Sequence, residues 1–198
     1  MDTKKTIAGV AVALALIGAG CSTPAGAPSD GDGGSATTSD AAPMKYKDFA
    51  AGITLYYPAD WKQEKNPNGN GVVFLAKAGA DGLQSNVGFT KQDLSAFPPV
   101  TLDQYTGIIK DDTMKRLKNA NILTTDKTML GGMEAGVMTY TAEYPEKSDK
   151  PMKIRNTYVL KDKNAYILTY TATEDTFDMY LEDAKAIEAS FEFNEPIN

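Results

Sequence analysis

Between Ser22 and Pro43 every residue is Ala, Gly, Ser, Thr, Pro or Asp. A stretch with no Leu, Ile, Val or aromatic side chain cannot bury a core. It therefore divides the chain into a short leader before it and a folding unit after it. As a flexible coil it would span about 25 Å root-mean-square, from about 5–6 Å times the square root of its length. Everything able to build a globular core lies between Met44 and Asn198, a length suited to one well-filled domain. The chain contains no histidine and one cysteine. That excludes His-based triads, His-ligated zinc, an internal disulfide and a CxxC site. With 26 Asp and Glu against 20 Lys and Arg, the net charge of -6 offers no basic footprint for nucleic acid.

The leader reads as a targeting signal. Lys4 and Lys5 form a positive start, and Ile7 to Gly20 is an uncharged run of small and apolar residues. It is shorter than the roughly 20 apolar residues of a spanning helix and fits a secretory h-region. Gly18-Ala19-Gly20-Cys21 resembles a bacterial lipobox, with Gly18 where Leu is usual and Ile17 one step earlier. The expectation is a lipoprotein signal peptide over 1–20, a lipidated Cys21 and a disordered tether to residue 43. The alternative is an ordinary signal peptide that leaves Cys21 as a free thiol, a liability in an exported protein. Acyl chains would hold the protein durably, since each buried CH₂ contributes about 0.8 kcal/mol. Asp30-Gly31-Asp32-Gly33 lacks the further ligands and closing Glu of a calcium loop and reads as linker.

Alternation predicts strands at Ile53–Tyr57, Val72–Leu75 and Gln84–Thr90, with a turn at Asn66–Gly71. Thr101-Leu102-Asp103-Gln104 has the form of a capping box opening a helix that runs to about Lys118. From Ile122 the period returns to two. Gly131-Gly132 marks a turn before a strand over Ala135–Tyr144, and Lys161–Asn164 turns a hairpin between Met152–Leu160 and Ala165–Thr173. Phe177, Tyr180, Leu181, Ala184, Ile187 and Phe191 form one stripe of a closing helix, capped by Asp175 or Thr176. Strands joined by short turns pair antiparallel, which makes the domain α+β.

Gly52-Ile53-Thr54-Leu55-Tyr56-Tyr57-Pro58-Ala59-Asp60-Trp61 resembles the opening strand of PsbP-like domains, which share a fold with the Mog1 and DcrB proteins. The Leu130-Gly131-Gly132-Met133-Glu134-Ala135 turn and the ending Ala189-Ser190-Phe191-Glu192-Phe193 agree with it. The resemblance spans nearly all of Met44 to Phe193. It implies a three-layer α/β/α sandwich around a mainly antiparallel sheet, without a shared set of catalytic residues. Metal sites of some photosynthetic members use histidines that this chain lacks, so no metal site and no cofactor carry over.

Tyr57 and Trp61 are the candidate ligand-facing aromatics, with a core-anchor role the commoner one for a Trp in this place. Tyr140, Tyr158, Tyr166 and Tyr170 read as core or cross-strand partners. Thr139, Thr141, Thr169, Thr171 and Thr173 suggest a threonine-rich sheet face, solvated or covered by a helix. Asp178, Glu182 and Asp183, with Lys185 nearby, read as a solvated helix face, as do Asp111 and Asp112. No GxSxG elbow, SxxK dyad or phosphate loop occurs. The expected function is a non-enzymatic, lipid-anchored, extracytoplasmic accessory module. It would sit in the cell envelope, on the plasma membrane's outer face or the outer membrane, beside a protein partner. The alternative is a small-ligand or lipid-binding lipoprotein with a pocket between sheet and helix; a hydrolase using carboxylates alone is the third reading.

Overall fold

The structure is a computed structural model that describes residues 41–66, 71–79, 83–145 and 148–194. The expected signal peptide, Cys21, the tether up to residue 40 and the middle of the Asn66–Gly71 turn lie outside the described residues. The elements are β1 (Met44–Asp48), β2 (Ile53–Tyr57), β3 (Lys62–Lys65), β4 (Val72–Leu75), β5 (Asn86–Asp93), α1 (Leu102–Arg116), β6 (Lys118–Leu130), β7 (Met133–Glu143), β8 (Met152–Lys161), β9 (Asn164–Thr173), α2 (Leu181–Ala189) and β10 (Glu192–Phe193). All strand pairs are antiparallel, which is the α+β class the turns imply.

Seven strands form the main sheet in the order β3-β4-β5-β9-β8-β7-β6, and a small second sheet has the order β1-β2-β10. One face of the main sheet carries Phe74, Phe89, Val159, Leu168 and Tyr170; it packs against Ile53 and Leu55 of β2, Ala184 and Ile187 of α2, and Phe191. The opposite face carries Met138, Tyr140, Ile154, Tyr158 and Ile167 and packs under Tyr105 and Ile109 of α1. The helices therefore sandwich the sheet, and the small sheet shares the α2 layer. Each of these large apolar side chains, fully buried, contributes about 1.5–3 kcal/mol.

Local chemistry sets most boundaries. Thr101 Oγ1 accepts from the Gln104 amide at 3.2 Å, and the Gln104 side chain accepts from the Thr101 amide at 2.9 Å, so the capping box forms as the sequence implies. The Gly131-Gly132 and Asp162-Lys163 turns both have positive φ, the two-residue geometry that matches strand twist. The two faces meet differently at Gly136, which sits opposite Tyr158 so that the ring lies over the bare Cα.

Several expectations shift. α1 stops at Arg116, because Leu117 turns extended and Asn119 adopts φ 51°, and β6 begins four residues before Ile122. β5 runs to Asp93, since its whole length pairs with β9. The closing helix is only Leu181–Ala189. Its N-cap is Tyr180, with no side-chain cap, and neither Asp175 nor Thr176 opens it. Residues 174–180 form successive turns instead, with Thr176 N donating to Thr173 O and Met179 N to Thr176 O. Phe177, Ala184, Ile187 and Phe191 are buried all the same. β1, β3 and β10 arise where no strand is expected.

The threonines do not share one face. Thr139 lies in register with Arg155 and Tyr170 on the α2 face, whereas Thr169 aligns with Asn156 and Met138 on the α1 face. Arg155 also fixes α2: its Nε and Nη2 each donate to a Glu188 carboxylate oxygen at 3.1 Å.

Candidate functional site

The small sheet lies over the main sheet with its edges aligned. Tyr46 of β1 meets Phe74 of β4 edge-on at 5.5 Å, and Phe193 of β10 meets Tyr166 of β9 at 4.9 Å. β1 is therefore stacked above the β3–β4 side, and both β1 and β3 end their sheets on the same side of the molecule. Between them opens a cleft of about 580 Å³. Its walls include Tyr46, Asp48, Gln63, Lys65, Phe89 and Lys91. Such a volume lies in the range of sites for small molecules or short peptide segments.

The direction of the main-chain groups at both edges follows from pairing parity. Asn66 N donates to Gly71 O, so Glu64 and Lys62 turn their amides and carbonyls toward β4, and those of Gln63 and Lys65 point outward. On the small sheet, the amide and carbonyl of Tyr56 both engage Ser190 Oγ on the β10 side. Ile53, Leu55 and Tyr57 hence face β1, and on β1 the outward-pointing groups belong to Lys45 and Lys47.

The two strands that edge the cleft carry more lysines than acids, Lys45, Lys47, Lys62 and Lys65 against Asp48 and Glu64. Asp48 is held within its own turn, accepting from Tyr46 Oη at 3.1 Å and from Ala51 N at 2.8 Å. Burial, then the nearby Asp48 carboxylate, push the Tyr46 hydroxyl up to about 12, so it stays a neutral donor. Glu64 pairs with Lys62. Lys65 forms no ion pair among the described residues, whereas Lys91 acts on the Asp93 carboxylate and lies 5.4 Å from the Tyr166 ring centre. Phe49, in the β1–β2 turn next to the cleft, is 72% exposed with Lys47 over its ring.

Tyr57 and Trp61 are both buried. Tyr57 stacks on Phe74 at 4.5 Å, and its hydroxyl lies 3.5 Å from Oε1 of Gln63, a residue of the cleft wall. Trp61 packs edge-on against Tyr180 at 5.9 Å within the core. Cys21 lies outside the described residues. Where a pocket between sheet and helix is expected, the space beneath α2 is filled by Phe177, Ala184, Ile187 and Phe191. A crevice of about 210 Å³ does exist between the Leu94–Val100 loop and the β8–β9 turn. Tyr140, Tyr158, Tyr166 and Tyr170 are all core residues.

Asp178 and Glu182 lie on the surface. Glu182 pairs with Lys185 at 2.8 Å and Asp178 with Lys153 at 3.7 Å. Asp183 has its carboxyl pushed up by burial and then by Asp60. Among the described residues no cluster of His, Cys, Asp or Glu is arranged to hold a metal ion. The cleft itself is missed by sequence reasoning, because its walls come from three distant segments and two charged edge strands. The dense Asn66–Gly71 turn is the one local signal that a hairpin, and so an edge, lies there.

A seven-stranded antiparallel sheet between two helices, closed by a small sheet, is the PsbP/Mog1-like fold. Cyanobacterial PsbP (CyanoP) from Synechocystis sp. PCC 6803 superposes with a TM-score of 0.54 at 15% identity, over 81% of this chain and 98% of that one. LpqN, involved in cell envelope biogenesis of Mycobacterium tuberculosis, gives 0.55 at 12% identity, over 80% and 88%. The Saccharomyces cerevisiae Ran-binding protein Mog1p gives 0.52 at 8% identity, over 77% and 95%. At such identities the likeness is one of fold. No protein-family model and no curated protein sequence matches the chain.

Proposed function

We propose that this chain is a non-enzymatic, lipid-anchored accessory module that binds a protein partner at a membrane or envelope complex. The observation that carries the reading is the open sandwich edge: the interior is filled from both faces, and the unused hydrogen-bonding groups and Phe49 lie together on one side. The charged start, the short apolar run and Cys21 support an anchor, with the acidic tether holding the domain off the surface. One of the structures similar in fold, LpqN, is involved in cell envelope biogenesis, which is compatible with this setting. Among the described residues no helix is long and apolar enough to cross a membrane.

The test is the intact mass of the protein from the membrane fraction, beside a Cys21→Ser variant. A diacyl or triacyl mass on a chain beginning at Cys21, with the variant released, is the expected outcome. Crosslinking in intact envelopes then recovers one reproducible protein partner. An unmodified chain in the soluble fraction, without a partner, overturns the reading. A small ligand taken up between sheet and helix is the weaker alternative, because that interface is packed.

A further inference from the structure

We propose that the cleft between β1 and β3 takes an extended, acidic peptide segment, which adds as a strand to the β3 edge of the main sheet. The proposal rests on the partner-binding reading above and names what that partner presents. β3 is the end strand of its sheet, and Gln63 and Lys65 turn both amide and carbonyl outward. Adding a strand there satisfies these groups with main-chain hydrogen bonds, the source of affinity in strand addition.

The side chains define the occupant further. Alternate residues of an added strand enter the cleft beside Gln63 and Lys65, on the side of Tyr46. A volume of about 580 Å³ suits a few residues of extended chain, matching the four of β3. The two edge strands carry Lys45, Lys47, Lys62 and Lys65 against Asp48 and Glu64. This excess of lysine, on a chain of net charge -6, selects an acidic segment. Lysines on edge strands also oppose pairing between copies, and here both β1 and β3 carry them, so a second copy is disfavoured as the occupant. Phe49 adds an exposed aromatic at the cleft's end, the kind of residue that anchors interfaces.

The probe is a displayed library of random nine-residue peptides, selected on the full-length protein. Selected peptides are expected to carry Asp or Glu with alternating apolar residues. Methylating alternate peptide nitrogens should weaken binding at least tenfold, because it removes donors while keeping charge. Lys65→Pro removes one outward amide at an edge, where proline is tolerated. It should weaken binding at least tenfold with an unchanged melting temperature, whereas Lys47→Pro on the other edge should not. Binders indifferent to N-methylation and to Lys65→Pro, binders that map to the Leu94–Val100 crevice, or an empty selection each overturn the proposal. A partner crosslinked equally well by wild type and Lys65→Pro would keep the accessory role and remove the cleft from it.

Discussion

Tyr158 lies flat enough over Gly136 that a methyl group on that glycine would fall 2.4 Å from its ring. The same tyrosine donates to Thr106 Oγ1 at 2.7 Å and meets Tyr105 edge-on at 5.5 Å. One bare backbone position in β7 thus sets the height at which α1 rests on the sheet.

Gly136→Ala should therefore destabilise the domain although alanine is the better strand residue. Overpacking of a filled core costs about 1–3 kcal/mol. In a domain of this size that lowers the melting temperature by about 2–4 °C per kcal/mol. Thermal unfolding followed by circular dichroism measures it. A Gly136→Ala,Tyr158→Leu double variant should lose less than the sum of the single changes, because the clash is between those two residues.

The Arg155–Glu188 pair should behave as a buried clamp rather than a surface ion pair, since the side chains are only 19% and 10% exposed. Glu188→Ala leaves a guanidinium without its bidentate partner, and breaking such a pair costs about 3–5 kcal/mol. The remaining exposure of Arg155 places the expected loss near the low end. Replacing both residues together, as Arg155→Met with Glu188→Leu, should restore most of the stability. Urea midpoints for the two variants decide between clamp and ornament, and equal losses for both would rule out the charge argument.

How far all this could be read in advance depends on where each segment sits. The β8–β9 hairpin was legible because Asp162-Lys163 is a two-residue turn flanked by alternating apolar residues. The closing stripe was legible as burial and, from Leu181 onward, as helix, but not at its start: Phe177 enters the core through a turn, held by Tyr170 Oη donating to its carbonyl at 2.6 Å. Met44–Asp48 and Lys62–Lys65 carry too few apolar residues to signal strands, and they form because neighbouring strands supply their partners. The cleft is built from those two edges, so the least legible elements hold the candidate site. Edge strands need lysines and glutamates to stay unpaired, which erases the alternation that would reveal them.

Stability should fall at high pH. Burial first of all pushes the hydroxyls of Tyr105, Tyr140 and Tyr170 upward, and that of Tyr144 to about 12. The folded state then keeps protons that the unfolded chain releases near pH 10. The stabilisation is complete below pH 10 and is lost as pH rises through the higher folded values, so unfolding is driven by alkali. In a phenolate absorbance titration the hydroxyls of Tyr105, Tyr140, Tyr144 and Tyr170 should ionise only together with loss of near-ultraviolet dichroism. Ten tyrosines titrating in one step with the fold retained would contradict the buried placement.

Trp61, the single tryptophan, offers a probe of the core that needs no label. It is 5% exposed and lies against Tyr180, just before α2. Its emission should be blue-shifted relative to the unfolded chain and little quenched by iodide. Truncation to alanine removes a large buried ring and should cost about 3–5 kcal/mol, the range for aromatic deletions in cores. The same burial predicts that a peptide bound at the β3 edge leaves Trp61 emission nearly unchanged while shifting the amide resonances of Gln63 and Lys65. Strong iodide quenching in the native state would place Trp61 at the surface and reopen a ligand-stacking role for it.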